Sequence, residues 1–298
     1  MPDSTPHAPA EQPFALDAAG IARLRDWQGR SETLSDQVTA QPVAAMGATL
    51  NMPAGAATAL PPLWHWLYFL PHHRQDEIGE DGHARRGGFL PPVPLPRRMW
   101  AGGRLRWEPG NPLHVGQKID RRSTILSVAH KAGRTGELVF VTVRHEIFNA
   151  QGLALSEEHD IVYRSAARPG DPAPPPVPAE TGAAWQRDMV ADPVLLFRYS
   201  ALTLNSHRIH YDRPYATQVE AYPDLVVHGP LQATLMLDLA VRHGGRPIAS
   251  FDFRGVAAAL QDRPLAVCGR SDAEGADLWT EQDGGRRMVG RVTWGPPA

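Results

Sequence analysis

A proline-rich segment divides this sequence into two halves. Residues 164–181 read RSAARPGDPAPPPVPAET, with six prolines between Pro169 and Pro178. This composition favours extended polyproline geometry and offers no apolar face that a core could bury. The flanking parts, about 165 and about 120 residues long, are both of ordinary domain size. We therefore predict an N-terminal domain over residues 1–165, a linker over 166–181 and a C-terminal domain over 182–298.

Bulk composition argues against several classes of protein. The formal net charge is -2, from 30 Lys and Arg against 32 Asp and Glu, and this balance disfavours a nucleic-acid groove. A single cysteine, Cys268, rules out an intrachain disulfide. The N-terminal MPDSTPHAPAEQPF lacks the basic and apolar blocks of an export signal. The longest apolar run, LPPLWHWLYFL, is too short and too interrupted to cross a bilayer. We expect a cytoplasmic protein without a membrane span.

Strand-like runs follow an apolar helix in each half. In the first half, residues 123–165 contain three such runs, broken at 132–136 and at 149–152, as in an antiparallel meander. In the second half, four runs cover 247–260, 264–272, 276–282 and 286–294. Asp283-Gly284-Gly285 is the strongest hairpin turn among them. The simplest layered solution for each half is an antiparallel sheet wrapped around one helix, which is an α+β fold.

The predicted helices occupy matching places in the two halves. Residues 225–245, LVVHGPLQATLMLDLAVRHGG, read as an almost wholly apolar helix with Gly229 as its N-cap and Pro230 at its first position. Residues 242–245 close it. Residues 62–67 match 230–235 at a constant offset of 168, which predicts a counterpart helix in the first half. Such agreement in order and spacing is typical of a duplicated domain.

Residues 199–216, YSALTLNSHRIHYDRPYA, concentrate hydrogen-bonding side chains in one short polar turn that no surrounding pattern requires. Catalysis is one explanation. His207 and His210 have the spacing of zinc ligands, but no cysteine and no downstream acidic or histidine motif accompanies them. We therefore predict no metal and no cofactor. The residues alone leave two interpretations open, catalytic histidines or structural histidines that satisfy loop carbonyls.

The polar turn resembles the signature of the MaoC-like hydratase family, roughly Gly-Asp-x-Asn-Pro-[Ile/Leu]-His followed by x-Asp. His210 matches the family's catalytic histidine, Ile209 its aliphatic neighbour and Asp212 its second aspartate. Asn205 stands where most members carry the catalytic aspartate. The resemblance implies a double hot-dog fold, in which each half wraps a curved antiparallel sheet around a central helix. It also implies an acyl-CoA thioester bound between the halves.

Departures from the signature point to a subgroup. With His207 and Arg208 in place of Asn-Pro, the turn is similar to those of 3-hydroxyacyl-thioester dehydratases and bacterial mesaconyl-CoA hydratases. Residues 89–107, FLPPVPLPRRMWAGGRLRW, resemble the first half of bacterial two-domain members. The resemblance implies a hydro-lyase that converts mesaconyl-CoA (3-methylfumaryl-CoA) to citramalyl-CoA. The alternatives are a 3-hydroxyacyl-thioester dehydratase or (R)-specific enoyl-CoA hydratase and, more remotely, an acyl-CoA thioesterase.

The chemical requirements of enoyl-thioester hydration predict a role for several of these residues. The reaction needs a base for the water, a proton for the α-carbon and donors for the enolate oxygen. We expect His210 to make both proton transfers, Asn205 to orient the water and the Gly229 amide to bind the thioester oxygen. A substrate carboxylate would need an arginine, and three are candidates: Arg97, Arg98 and Arg208. Two alternatives stay open, Asn205 as a turn cap and Arg97-Arg98 as a solvated pair.

The offset of 168 further predicts a single active site. It places Gln37 opposite Asn205 and Pro42 opposite His210, and neither residue can act as a base. We therefore expect the first half to be a non-catalytic partner that completes the acyl-CoA tunnel. Because a duplicated chain supplies the two-domain unit by itself, a monomer and a homodimer of such chains are both open.

Overall fold

The computed structural model describes residues 15–52, 59–133, 136–166 and 176–296. Within those ranges the strands and α-helices are, in chain order, α1 (Ala18–Arg25), β1 (Ser31–Gln37), α2 (Ala40–Thr49), β2 (Arg97–Trp107), β3 (Lys118–Gly133), β4 (Gly136–Asn149), β5 (Gly152–Arg164), β6 (Trp185–Val190), α3 (Pro193–Thr203), α4 (Gly229–Gly244), β7 (Ile248–Gly255), β8 (Pro264–Ser271), β9 (Gly275–Gln282) and β10 (Gly285–Trp294). Residues 167–175, the centre of the predicted linker, lie outside the described residues.

The strands form one antiparallel sheet in the order β1-β3-β4-β5-β2-β7-β10-β9-β8-β6. The first five strands in that order come from residues 31–164 and the last five from residues 185–294. The predicted α+β class is therefore confirmed, as are the meander of β3, β4 and β5 and the four strands after α4. The division of the chain at residues 166–181 stays a prediction.

Glycines allow the two halves of the sheet to meet. β2 pairs with β7 over residues 102–106. A Cβ atom at Gly102 would lie 2.4 Å from the carbonyl oxygen of Phe253, and one at Gly103 would lie 2.9 Å from the Phe253 ring. Only a residue without a side chain permits this approach. The join between β2 and β7 therefore depends on the pair Gly102-Gly103.

α4 is the central helix of the second half. Residues 231–240 are all buried, because the helix packs on all five strands of that half, β6 to β10. Gly245 closes the helix with a left-handed φ of 63°. The predicted start is off by one residue, since His228 is the N-cap and Gly229 begins the helix. In the described part of the chain, no helix is long and apolar enough to cross a membrane.

The counterpart helix predicted over residues 62–67 is wrong. The chain there makes one turn of 3-10 helix, Trp64–Leu67, which follows Leu63 in a left-handed conformation with a φ of 68°. Tertiary hydrogen bonds hold this turn, because His65 and Trp66 both bind the carboxylate of Glu157 on β5. Local sequence similarity to α4 was therefore overridden by contacts with a distant strand.

The offset of 168 is also wrong for the segment before the polar turn. The starts of β1 and β6 are 154 residues apart, and so are the ends of α2 and α3. Asn51, and not Gln37, therefore stands opposite Asn205. The position opposite His210 becomes Ala56, which lies outside the described residues. Alanine cannot act as a base, so the first half still offers no counterpart of His210.

Candidate active site

His210 lies in a turn that α3 positions. α3 ends at Thr203, and Leu204 follows it in a left-handed conformation with a φ of 47°. The chain then makes one turn of 3-10 helix over Arg208–His210. Ile209 and His210 are both buried, at 6% exposure. The side chain of His210 therefore lies beneath the surface, whereas Ser206 and Tyr211 of the same turn are exposed.

The ring of His210 has one nitrogen without a hydrogen-bond partner among the described residues. Its Nδ1 lies 2.7 Å from the carbonyl oxygen of Val226. A carbonyl oxygen only accepts, so Nδ1 carries the proton and Nε2 keeps its lone pair. Burial, and then the neighbouring His228 and His207, hold the pKa of His210 well below 6.5. At neutral pH the side chain is therefore an uncharged imidazole whose Nε2 can take a proton.

His228 joins His210 to the N-terminus of α4. The two rings stack, with centroids 3.7 Å apart and an interplanar angle of 21°. His228 is completely buried, and burial lowers its pKa to about 3. Its Nε2 lies 2.8 Å from the hydroxyl oxygen of Ser200 on α3. Because His228 is the N-cap of α4, the stack places the imidazole of His210 beside the first residue of that helix.

Gly229 directly follows the stacked His228 in the chain, and its amide N–H is the first backbone donor of α4. Among the described residues it makes no backbone hydrogen bond, whereas Gln232 N–H already donates to the His228 carbonyl at 3.2 Å. A Cβ atom at Gly229 would contact Met288 Cε at 3.6 Å. The first amides of a helix lack intrahelical partners and carry part of the positive end of its dipole. This position can therefore stabilise negative charge on an oxygen.

His207 also contacts His210 and is held by a buried ion-pair network. Its Nε2 lies 3.1 Å from Oε1 of Glu220. The second oxygen of Glu220 accepts from Arg97 Nε at 3.3 Å, and the Arg97 guanidinium lies over the ring of Tyr222 at 5.0 Å. The rings of His207 and His210 meet edge to face, with centroids 5.6 Å apart. His207 therefore supports His210 and has its own Nε2 occupied.

A loop of the first half, residues 79–83, closes over the polar turn. Ser206 donates its hydroxyl to the carbonyl of Gly82. A Cβ atom at Gly82 would lie 1.8 Å from the Ser206 carbonyl oxygen, and the φ there is 89°. The His83 ring lies 4.3 Å from that of His207, and its Nδ1 lies 3.0 Å from Oδ2 of Asp81. Burial, and then the charge of a nearby arginine, lower the pKa of His83 to about 3. The first half thus contributes an imidazole next to the polar turn.

Asn205 caps the turn, which is one of the two roles that the sequence left open for it. Its Oδ1 accepts the His207 N–H at 3.1 Å, and its own N–H donates to the Ser200 carbonyl at 2.9 Å. In the described part of the chain, its side-chain amide nitrogen has no hydrogen-bond partner. Capping therefore uses only the oxygen, and the NH2 group is left for another acceptor.

The three candidate arginines differ in their surroundings. Arg97 is paired with Glu220. Arg208 donates to Asp212 at 2.9 and 2.6 Å and to the Glu80 carbonyl at 3.0 Å. Both guanidinium groups are thus bound to groups of the chain itself, which does not favour them as ligands of a substrate carboxylate. Arg98 lies near Asp81 and His83, and no carboxylate among the described residues lies within 4.0 Å of it.

Comparison with known proteins identifies the family. Residues 63–261 match the family model described as hydroxyacyl-thioester dehydratase type 2. The chain is 47% identical over 276 residues to mesaconyl-C(4)-CoA hydratase of Chloroflexus aurantiacus, covering 90% of this chain and 97% of that protein. It belongs to the hydroxyacyl-thioester dehydratase type 2 family. A second relative, the mitochondrial hydroxyacyl-thioester dehydratase type 2 of Schizosaccharomyces pombe, is 26% identical and covers 84% of this chain and 92% of its own length.

Solved structures agree with the expected fold. A MaoC-like dehydratase superposes with a TM-score of 0.68 at 13% identity and covers 90% of this chain and 98% of its own. A Mycobacterium tuberculosis protein described as having a double hotdog fold superposes with a TM-score of 0.52 at 14% identity, over 90% and 96% of the two chains. The double hot-dog fold and the MaoC-like resemblance are therefore confirmed. This member of the dehydratase type 2 family is an acyl-thioester hydratase or dehydratase, a carbon–oxygen lyase.

Several residues around His210 carried no signal that sequence reasoning used. The string His228-Gly229-Pro230 predicts only a helix start, and the stacking of His228 on His210 depends on the way residues 209 and 226 pair. Asp81 and His83 belong to the first half, and Glu220 is an isolated acid between two predicted elements. A possible signal was the string Asp81-Gly82-His83, which combines two polar side chains with a turn residue. Among the described residues, no group of three or more His, Cys, Asp or Glu side chains is arranged to hold a metal.

Proposed function

We propose that this protein hydrates mesaconyl-C(4)-CoA, an enoyl thioester with a free carboxylate, to citramalyl-CoA. The observation that carries the proposal is the hydrogen bond from His210 Nδ1–H to the Val226 carbonyl, which leaves Nε2 unprotonated beside the start of α4. The name of the relative at 47% identity supports this choice of substrate.

In this proposal His210 transfers the protons, and the amide of Gly229 stabilises the enolate oxygen. Nε2 of His210 takes a proton from water as the water oxygen attacks the β-carbon, and the Gly229 N–H binds the thioester oxygen as the enolate forms. The same imidazole then returns the proton to the α-carbon, which makes the addition syn. The free NH2 group of Asn205 holds the water oxygen. Loss of one oxyanion donor lowers the rate on the order of 10²-fold or more.

A 3-hydroxyacyl-thioester dehydratase is the second candidate. The same groups catalyse dehydration when the direction is reversed, and the name of the fission-yeast relative favours this activity. The two candidates differ in the acyl group, since a dehydratase of this kind does not require a second carboxylate. An acyl-CoA thioesterase differs from both because it would release free CoA.

We also propose the finer organisation of the chain. Residues 182–298 carry catalysis, and residues 1–165 complete the substrate tunnel without a base of their own. The loop at residues 79–83 supports this division of labour, because it contacts the polar turn through hydrogen bonds. A homodimer of such chains and a cytoplasmic location are the remaining parts of the proposal.

A panel of enoyl-CoA thioesters tests the function. Purified protein is incubated with mesaconyl-C(4)-CoA, crotonyl-CoA and longer enoyl-CoAs, and the gain of one water is followed by mass while a thiol reagent reports free CoA. We expect the dicarboxylic substrate to have the highest kcat/KM and no thiol to appear. Release of thiol in step with substrate loss would establish a thioesterase instead, and a preference for long chains would establish the dehydratase.

Replacement of His210 tests the assignment of the base. His210→Ala should lower kcat by about 10²- to 10⁴-fold, because a positioned general base contributes that much. His243→Ala is the matched control, since His243 is an exposed histidine at the other end of α4 that stacks on Trp185. Wild-type turnover in a folded His210→Ala protein would contradict the assignment.

A further inference from the structure

His228 has one ring nitrogen that the described part of the chain leaves without a partner. The residue is completely buried, and its Nε2 lies 2.8 Å from the Ser200 hydroxyl oxygen. Its Nδ1 is buried too, and no described residue makes a hydrogen bond with that nitrogen. Most buried polar side-chain atoms in proteins have a partner, because an unpaired one has lost its hydrogen bond to water without replacing it. The Nδ1 of His228 therefore needs an explanation.

The Ser200 hydroxyl decides which nitrogen of His228 carries the proton. Within the described ranges, His228 Nε2 is the single hydrogen-bond partner of that hydroxyl. If Nε2 carried the proton, the hydroxyl would accept it, and the hydroxyl hydrogen would have no acceptor of its own. If Nδ1 carries the proton, the hydroxyl donates to the lone pair of Nε2 and is satisfied. Burial lowers the pKa of His228 to about 3, so near pH 7 the ring is neutral and Nδ1–H is an unused donor.

This unused Nδ1–H lies close to the first amide of α4. His228 is the N-cap of that helix, and Gly229 follows it as the first helical residue. Because Nδ1 is the ring nitrogen nearer to the backbone, bond lengths keep it within about 6 Å of the Gly229 nitrogen. The Gly229 N–H makes no backbone hydrogen bond to a described residue. Two donors that share one oxygen, each about 3 Å from it, are separated by no more than about 6 Å, so the two N–H groups are near enough to bind the same atom.

The ring of His228 is in direct contact with the proposed base. Its centroid lies 3.7 Å from that of His210, and the two ring planes differ by 21°. In an enoyl thioester the carbonyl carbon is only two bonds away from the β-carbon. A substrate whose β-carbon is attacked by water at His210 Nε2 therefore brings its thioester oxygen close to the His228 ring. This oxygen is the acceptor that Nδ1–H lacks.

A flexible side chain lies beside the start of α4. A Cβ atom at Gly229 would contact the terminal methyl of Met288 at 3.6 Å, and Met288 is a buried residue of β10. Methionine is unbranched and has three rotatable bonds, so it adapts to the shape of its surroundings. Met288 can therefore give way when a substrate oxygen approaches Gly229 and His228.

We propose that His228 is a catalytic residue whose Nδ1–H, together with the Gly229 N–H, binds the thioester oxygen and stabilises the enolate charge that develops on it. A neutral imidazole suits this role, because it donates a hydrogen bond to the oxygen and keeps its proton. Ser200 is a positioning residue that fixes the tautomer of His228. The inference rests on the proposed function and adds a second donor to the oxyanion site at Gly229.

NMR of the wild-type protein, labelled uniformly with ¹³C and ¹⁵N, tests the tautomer. The ring nitrogens of His228 are assigned through the backbone of that residue, and we expect Nδ1 to carry the proton and Nε2 to lack it. The Nδ1–H proton should move downfield when the protein is saturated with an unreactive thioester, the saturated analogue of mesaconyl-C(4)-CoA. Ser200→Ala should mix the tautomers and lower kcat in proportion to the lost Nδ1–H fraction. An unprotonated Nδ1 in the wild-type protein, or an Nδ1–H resonance that ignores the bound thioester, would overturn the inference without any variant.

The carbonyl stretch of the bound thioester, measured by infrared difference spectroscopy, reports on the oxyanion donors. The probe is the same saturated analogue with ¹³C at its thioester carbonyl, and butyryl-CoA replaces it if crotonyl-CoA proves the better substrate. Hydrogen bonds to the oxygen weaken the C=O bond, so the wild-type protein should lower the stretching frequency of the probe. His228→Phe keeps an aromatic ring against His210 but has no N–H, and the frequency should return towards that of the free probe. His210→Ala should keep the wild-type frequency.

Kinetics of the same variants separate a catalytic role from a packing role. His228→Phe should lower kcat by about 10²- to 10³-fold with little change in KM, because the donor acts on charge that develops in the transition state. Tyr199→Phe is the matched control, since Tyr199 also packs on His228, with ring centroids 5.0 Å apart, and it should keep the wild-type kcat and frequency. If His228→Phe keeps either the wild-type kcat or the wild-type frequency, the inference fails while the proposed function stands. If the wild-type protein hydrates no enoyl-CoA, the proposed function itself fails.

Discussion

Acid should destabilise this protein sharply because it buries several neutral histidines. Burial above all lowers the pKa values of His83, His145 and His228 to about 3 and that of His159 to about 4. In the unfolded chain each returns to about 6.5. Between those values the unfolded state binds more protons than the folded state, so stability falls as the pH falls. The contribution of these histidines is present above pH 6.5 and is lost as the pH falls from 6.5 towards the folded pKa values, about 4 for His159 and about 3 for the other three.

The size of the effect follows from the unfolded pKa. At pH 5.5, one unit below 6.5, each imidazole that stays neutral in the folded state lowers the free energy of unfolding by about 1.4 kcal/mol relative to pH 8. Four such groups lower it by about 6 kcal/mol. The folded pKa values hardly affect this result, because all four lie well below pH 5.5. The free energy of unfolding of a typical domain is only about 5–15 kcal/mol. We therefore expect unfolding to begin near pH 5.5.

Denaturant titrations followed by circular dichroism at pH 8, 7, 6 and 5.5 measure the effect. We expect the free energy of unfolding to be nearly constant from pH 8 to 7 and then to decrease steeply. His159→Phe removes one of these titrating groups and should reduce the loss between pH 8 and 5.5 by about 1.4 kcal/mol, whereas His243→Phe, at an exposed position, should leave it unchanged. A free energy of unfolding that stays constant down to pH 5.5 would refute the argument that these imidazoles are buried and neutral.

Three further predictions concern catalysis. Because the pKa of His210 lies well below 6.5, kcat/KM should stay level from pH 8 to 6, and an inflection near 6.5 in a pH–rate profile would count against the proposed base. Gly229→Pro removes the amide N–H and should lower kcat by about 10²- to 10³-fold, while Gly229→Ala keeps the N–H and should retain most activity; equal kcat values would exclude this amide as the oxyanion donor. Gly82→Ala should lower kcat and the melting temperature, because its Cβ would overlap the Ser206 carbonyl oxygen at 1.8 Å. Gly87→Ala is the control, because Gly87 has a similar φ of 97° but the nearest atom to its added Cβ would be 3.7 Å away. This variant introduces backbone strain without overlap. Equal effects of the two variants on kcat would contradict the role given to the contact between Gly82 and Ser206.

Most strands that sequence patterns predicted have partners next to them in the chain. β3 to β5 and β8 to β10 are joined by short turns, and Asp283 and Gly284 have the positive φ values, 53° and 69°, that a tight hairpin needs. β7 is the exception, since it pairs with β2 and β10. β1 and β6, SETLSDQ and WQRDMV, were not predicted. They form the two edges of the sheet, where half of the backbone groups face away from the other strands and few apolar side chains are needed. Their sequences therefore lack the alternation typical of inner strands.

The sequence by itself determined the fold class and the candidate base, because both depend on residues that are close together in the chain. Hairpin turns, the caps of α4 and the motif around His210 are local, so a short string specifies each of them. Only the tertiary structure decided what surrounds these elements. Asp238, an acid in an otherwise apolar helix, is satisfied by Arg187 of β6 at 2.7 Å and by Arg242 at 2.8 Å. The free Nε2 of His210 likewise depends on the Val226 carbonyl. Burial and pairing across a sheet join distant residues, and no local pattern records them.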